Sequence, residues 1–140
     1  MKICVCCSLS FTDQVKEVAK KLEKLGYEVL LPNGVLIDAI HKPDFDPIKA
    51  KLDNGYDAIR AHFDKIKNSD AILVCNFTKN DIENYIGANT FLEMGFAYYL
   101  GKPIFTVNQL PNYKYINDEI LSFGVKVLDG DLTKISTIHP

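Results

Sequence analysis

Glu93 stands inside an apolar run, Phe91-Leu92-Glu93-Met94-Gly95-Phe96-Ala97-Tyr98-Tyr99-Leu100, where a carboxylate needs a partner or a task. Beside a sugar, such a carboxylate acts as a nucleophile or stabilises an oxocarbenium-like centre. Tied to a neighbour, it is a buried ion pair or a contact of Asn89, four residues back. Gly87, Ala88 and Asn89 open the same segment, and the free N–H groups of a helix start favour an anion such as a phosphate. Ser8 and Ser10 add hydroxyls early in the chain, although they and Asn89 are also ordinary turn and cap types. His62 and Asp64 are titratable groups that can orient a ligand or simply face solvent from a helix. There is no G-x-G-x-x-G and no Walker lysine. Cys4, Cys6, Cys7 and Cys75 show no C-x-x-C or Cys/His metal spacing. They read as reduced, buried, inert thiols, and neither a metal nor a cofactor is expected.

An alternation of apolar runs has to position these residues. Residues 2–7 read as a buried strand, and Thr12 or Ser10 caps a helix over 12–25 whose apolar face is Val15, Val18, Ala19, Leu22 and Leu25. Residues 28–31 form a second strand. Pro43, Asp44, Asp46 and Pro47 break residues 35–55 into an irregular excursion, either a lid or a plain connection. The spacing predicts a helix over 54–68 with Tyr56, Ile59, Phe63 and Ile66 on one face, then a continuously apolar strand over 71–75. A polar loop over 77–86 leads to a helix capped by Asn89. Its expected apolar face is Phe91, Leu92, Gly95, Phe96, Tyr99 and Leu100, with Gly101 after its end and Lys102-Pro103 as the stop. A strand over 103–107, a short helix over 118–123 and a strand over 125–128 complete the set. This pattern predicts one α/β domain over 1–140, a doubly wound flavodoxin-like (Rossmann-like) parallel sheet of about five strands in the order 2-1-3-4-5. Ligands of such sheets sit at the switch point between strands one and three, which gathers residues 8–11 and 77–93 around one crevice.

With 140 residues, 47% of them hydrophobic, and a net charge of −2, the chain has material for a core and lacks the basic excess of a nucleic-acid binder. It has no apolar run of about 18 residues to span a membrane, and its opening is too short for a signal-peptide core. With the reduced thiols, this places it in the cytoplasm. Tyr85, Tyr98, Tyr99, Tyr113 and Tyr115 serve either base stacking or packing, and Tyr113, Tyr115 and the C-terminal tail are the candidates for self-association into a homo-oligomer.

The run from Gly87 to Ile104 resembles the nucleoside 2-deoxyribosyltransferase superfamily and its deoxyribonucleoside 5′-monophosphate N-glycosidase relatives. The shared pattern is a glycine, a few residues, Glu-hydrophobic-Gly-aromatic-Ala, then Gly-Lys-Pro. Asn68-Ser69-Asp70-Ala71-Ile72-Leu73-Val74, the strand-Ser-x-x-Phe opening from Cys7 to Phe11, and Leu25-Gly26-Tyr27-Glu28-Val29 with Leu31-Pro32 are similar as well, so the resemblance spans most of 1–108. It implies that Glu93 attacks C1′ of a deoxyribosyl group, the base leaves, and water or a second base takes the sugar from the glycosyl-enzyme. It also implies that Ser8, Ser10, Phe11, Gly87 and Asn89 bind a small-molecule nucleoside or nucleotide, without a cofactor. Two departures follow. The family's aspartate on the helix before strand three falls near His62, with Asp64 the closest carboxylate, so either is the candidate acid. The serine of phosphate-binding relatives falls near Gly87. The alternative is a nucleotide or nucleotide-sugar binding module without turnover.

Overall fold

A computed structural model describes residues 1–46, 48–49 and 57–138. Its strands are β1 (Lys2–Cys6), β2 (Glu28–Leu30), β3 (Ala71–Val74), β4 (Ile104–Thr106) and β5 (Lys126–Val127). They form one sheet in the order β2-β1-β3-β4-β5, every pair parallel. The predicted strand order is the observed one. The helices are α1 (Thr12–Lys24), α2 (Asn33–Leu36), α3 (Ala58–Lys67), α4 (Ala88–Tyr99), α5 (Asn117–Ser122) and α6 (Lys134–Ile138). No helix among the described residues is long and apolar enough to cross a membrane.

Strand alternation divides the core into two layers. Ile3, Val5, Ala71, Leu73 and Phe105 face α1 and the C-terminal segment, packing with Val15, Leu22 and Ile135. Cys4, Cys6, Ile72, Val74 and Ile104 face the opposite way, toward Ile66 of α3, Met94 and Ala97 of α4, and Ile120. The register pairs Cys4 with Ile72 and Cys6 with Val74, so the two thiols lie inside the second layer. Phe63 of α3 stacks on Phe96 of α4 with ring centroids 4.3 Å apart and planes 6° from parallel, locking these two helices side by side.

The helix stops are as the sequence predicts. Gly101, at φ +70°, follows α4; its N–H donates to Tyr98 O and that of Lys102 donates to Ala97 O, the paired bonds of a Schellman end. The helix starts differ. Gly87, not Asn89, is the N-cap of α4, and no side chain caps it. Phe11 precedes α1, while Ser8 caps a separate 3₁₀ turn over Leu9–Phe11. The expected face of α4 is also rotated. Its buried residues are Thr90, Glu93, Met94 and Ala97, whereas Leu92 and Tyr99 are exposed. The helix is apolar nearly all round, which leaves its phase undetermined by pattern; Phe91, Phe96 and Leu100 instead flank the contact half-buried. On α3 the buried pair is His62 and Ile66; Ile59 is exposed, and Tyr56 lies outside the described residues. The excursion after β2 holds α2 and a 3₁₀ turn over Ala39–His41, and residues 50–56 lie outside the described residues.

Candidate functional site

α3 and α4 pack side by side over β1 and carry His62 and Glu93 into one buried cluster. His62 is 7% exposed and Glu93 4%. The imidazole is therefore a core group and not a solvated helix residue, as its place beside the apolar stripe had left open. His62 Nε2 lies 3.1 Å from Glu93 Oε2, close enough for an ion pair but not aligned as a hydrogen bond. The same nitrogen lies 3.5 Å from Cys4 Sγ and 3.6 Å from Cys6 Sγ. Asn89 Nδ2 donates to Glu93 Oε1 across 3.5 Å. Cys6 ends β1, so the cluster lies at the carboxyl end of the strand beside β3, where the sheet's winding reverses.

Burial dominates the electrostatics. It raises Glu93 from its ordinary 4.5 to about 7, against the pull of His62 and of a Cys6 hydrogen bond. That shift disfavours the ionised form by roughly 3 kcal/mol. For His62, burial works downward, but hydrogen bonding to Cys4 and the charge of Glu93 outweigh it, leaving the group raised above 6.5. Cys4 is lowered to about 6, chiefly by its hydrogen bond from Cys6 against the opposing effect of burial, with His62 assisting. Cys6 is raised, first by burial and then by Cys4 and Glu93. These four groups hold their protons jointly.

A second set of residues surrounds the end of β1. Ser8 Oγ and Ser10 Oγ are 2.8 Å apart, and Lys79 Nζ donates to Ser8 Oγ at 3.3 Å. Lys79 is fixed by a tight turn: it pairs with Ile82, and Asn80 and Asp81 between them both have positive φ, the geometry of a type I′ turn. Its ammonium also lies over the Tyr85 ring, 4.9 Å from the centroid. A Cβ at Gly87 would come 3.0 Å from Tyr85 Oη, so the bare glycine lets that phenol approach the start of α4. Phe11 is buried, edge-on to Phe77 and Tyr85. Ser8, Ser10, Phe11, Lys79, Tyr85 and Gly87 thus share one rim. Asn76, fully buried just past β3, donates to the carbonyls of Asn108 and Gln109 and accepts from the Asn108 N–H at 2.9 Å, tying the loop ends of β3 and β4 together.

Asp64 is not part of this assembly; it is exposed on the outer side of α3. Asp70 accepts from the Lys2 N–H at 2.6 Å and orients the strand entry. His41 pairs with Asp13 at 2.9 Å at the surface, and His139 lies outside the described residues. Lys79 and Asn76 had no role in the sequence reading; the Asn80-Asp81 dipeptide was the available signal for the turn that aims Lys79. Cys4 and Cys6 are free and buried, as read from the sequence, but the fold adds a proximity that their sequence spacing does not show. They alternate on β1, and α3 brings His62 over them, so that one donor atom from each lies within 4.8 Å of the others. A groove of about 290 Å³ between Lys21, Lys24, Leu25 and the Gly130–Thr133 turn involves none of these groups.

Comparison with solved structures places the same fold in the CMP N-glycosidase BcmB of Clostridium botulinum, with TM-score 0.55 and 16% identity over 99% of each chain. A 2-deoxyribosyltransferase from Leishmania mexicana aligns with TM-score 0.49 and 18% identity over 92% of this chain and 75% of its own. The flavoenzyme FerB, an NAD(P)H:(acceptor) oxidoreductase from Paracoccus denitrificans, aligns with TM-score 0.48 and 16% identity over 93% and 76%. No family model and no curated protein matches the chain. The fold implied by the resemblance at Gly87 to Ile104 is the fold observed.

Proposed function

We propose that this protein cleaves, or transfers at, the N-glycosidic bond of a ribo- or deoxyribonucleoside or its 5′-monophosphate, with Glu93 as nucleophile. The observation that carries this reading is a nearly buried carboxylate at the sheet's switch point, 3.1 Å from an imidazole. The shared fold with a CMP N-glycosidase over 99% of both chains supports it. In the proposed reaction Glu93 attacks C1′, and the base departs with the bonding electrons and takes a proton from His62. His62 then takes a proton from the water or base that displaces the sugar from Glu93. His62 is our choice of acid over Asp64 because it faces the carboxylate and Asp64 faces solvent. The sugar is placed on the Asn89 side of Glu93. Ser8, Ser10, Lys79 and the α4 start at Gly87 are placed to hold a 5′-phosphate, with Phe11 supporting the rim from beneath. The free thiols fit a reducing compartment, the cytoplasm. Tyr98 and Tyr99, exposed on α4, are candidates for contacts in a homo-oligomer.

The test is a panel of nucleosides and 5′-monophosphates, each with and without a second free base, followed by chromatography. Release or exchange of base that vanishes in Glu93→Gln is expected. One observation favours a second reading: at 4% exposure, Glu93 is already satisfied in part by His62 and Asn89. A binding module without turnover would show saturable nucleotide binding, no base release, and affinity insensitive to Glu93→Gln.

A further inference from the structure

Cys4 and Cys6 occupy alternate positions of β1, so both side chains leave the same face of the strand. α3 sets His62 above them and α4 sets Glu93 beside it. The result is a single imidazole nitrogen with three neighbours: Cys4 Sγ at 3.5 Å, Cys6 Sγ at 3.6 Å and Glu93 Oε2 at 3.1 Å. The imidazole nitrogen can donate to one of them at most, and each thiol can donate in turn. Glu93 Oε2 is in fact without an aligned donor among the described residues, although its side chain is only 5% exposed. A cation between Cys4 Sγ, Cys6 Sγ and a ring nitrogen of His62, which lie within 4.8 Å of one another, is held by all three. Tetrahedral zinc, with bonds of about 2.3 Å to sulfur and about 2.0–2.1 Å to nitrogen, has S···N edges of about 3.5 Å. The two S···N separations here have that length already.

We propose that Cys4, Cys6 and His62 form a three-ligand zinc site, with Glu93 beside it as an outer contact of the imidazole. Two thiolates and an imidazole select a borderline-soft divalent ion over magnesium or calcium. Three buried protein ligands fix the ion and leave the fourth tetrahedral position open. The site spans β1 and α3, so its occupation ties together two elements that the sequence separates widely. The proposal does not depend on the glycosidic reading, but it bears on it: a His62 nitrogen bound to zinc has no proton to give the leaving base, so zinc occupation and the proposed acid exclude one another.

The test reads metal binding directly, on reduced, chelator-stripped full-length protein. Titration with Co²⁺ is expected to give one ion per chain, with a thiolate-to-cobalt charge-transfer band and the intense visible bands of a tetrahedral site, displaced by one equivalent of Zn²⁺. Cys4→Ser, Cys6→Ser and His62→Gln each weaken Zn²⁺ binding by more than about 100-fold, and Glu93→Gln by about 10-fold. Cys7→Ser, whose thiol packs in the other core layer, leaves it unchanged. If the cysteine variants do not fold, His62→Gln and the melting temperature of the unaltered protein carry the decision, which rises with one equivalent of Zn²⁺ and not with Mg²⁺. Folded protein that takes up no stoichiometric zinc overturns the proposal. So does binding retained in the ligand variants, or lost equally in Cys7→Ser. No arm measures base release, so failure of the nucleophile assignment leaves this result intact.

Discussion

At the scale of single residues, Glu93 is held in a state that opposes its stability contribution to its proposed use. Its folded pKa is about 7 and its ordinary value 4.5, raised mainly by burial. Between these values the folded protein keeps a proton that the unfolded chain has released. The associated stability is therefore full below about 4.5, declines as pH rises, and is lost above about 7. Urea unfolding across this range is expected to show the unaltered protein losing more stability than Glu93→Gln, which mimics the protonated form. Parallel profiles would show that the His62 contact, not burial, sets the charge of Glu93. Base release has the opposite sign on its acidic limb, since a nucleophile must be ionised: kcat/KM rises as pH increases through about 7, then falls where His62 loses the proton it gives the base. Glu93 was legible in the sequence because a carboxylate among Phe91, Leu92, Met94 and Phe96 is an anomaly whatever the fold. Its partners were not. Cys4, Cys6 and His62 are separated by 56 and 58 residues, and only the β1 face and the α3 phase bring them together.

At the scale of elements, the loops that form the rim are fixed by polar clamps more than by apolar packing. Asn76 is fully buried, and its amide holds the Asn108–Gln109 segment through both its donor and its acceptor. Asn76→Ala leaves buried backbone groups unpaired and is expected to cost about 2–3 kcal/mol in chemical denaturation, with the slope of the transition unchanged. A loss below about 0.5 kcal/mol would mean that water replaces the clamp without penalty. Strand order and helix stops were readable because they follow from apolar runs and from glycines such as Gly26 and Gly101, which occupy positive φ after α1 and α4. The phase of α4 was not readable. Its apolar residues surround the axis, and the small side chains of Thr90 and Ala97, with Met94 and Glu93, decide which side meets the sheet. The start of α4 at Gly87 was missed for a related reason. Asn89 has the chemistry of a cap, but here its amide reaches forward to Glu93.

At the scale of the molecule, α4 presents Leu92 at 52%, Tyr98 at 54% and Tyr99 at 84% exposure, a run of large apolar groups on the helix that also bears Glu93. Burying these on a second copy is the self-association proposed above, and it would place a subunit contact one helix turn from the site. Light scattering on eluting protein should then read a multiple of the 15.8 kDa chain, and Tyr99→Glu should shift it toward the single-chain mass. A single-chain mass for the unaltered protein would remove the oligomer from the account and leave the site to one chain. The fold itself serves many chemistries, so the glycosidic reading rests on what Glu93 does and not on the sheet around it.

The most direct test of that claim is a search for the glycosyl-enzyme. The protein would be mixed with the best substrate from the panel, quenched in acid during turnover, and digested for peptide mass analysis. The account predicts a sugar mass added to the peptide containing Glu93, located on that residue by fragmentation and absent in Glu93→Gln. Base release that continues undiminished in Glu93→Gln, with no adduct on that peptide, would contradict it.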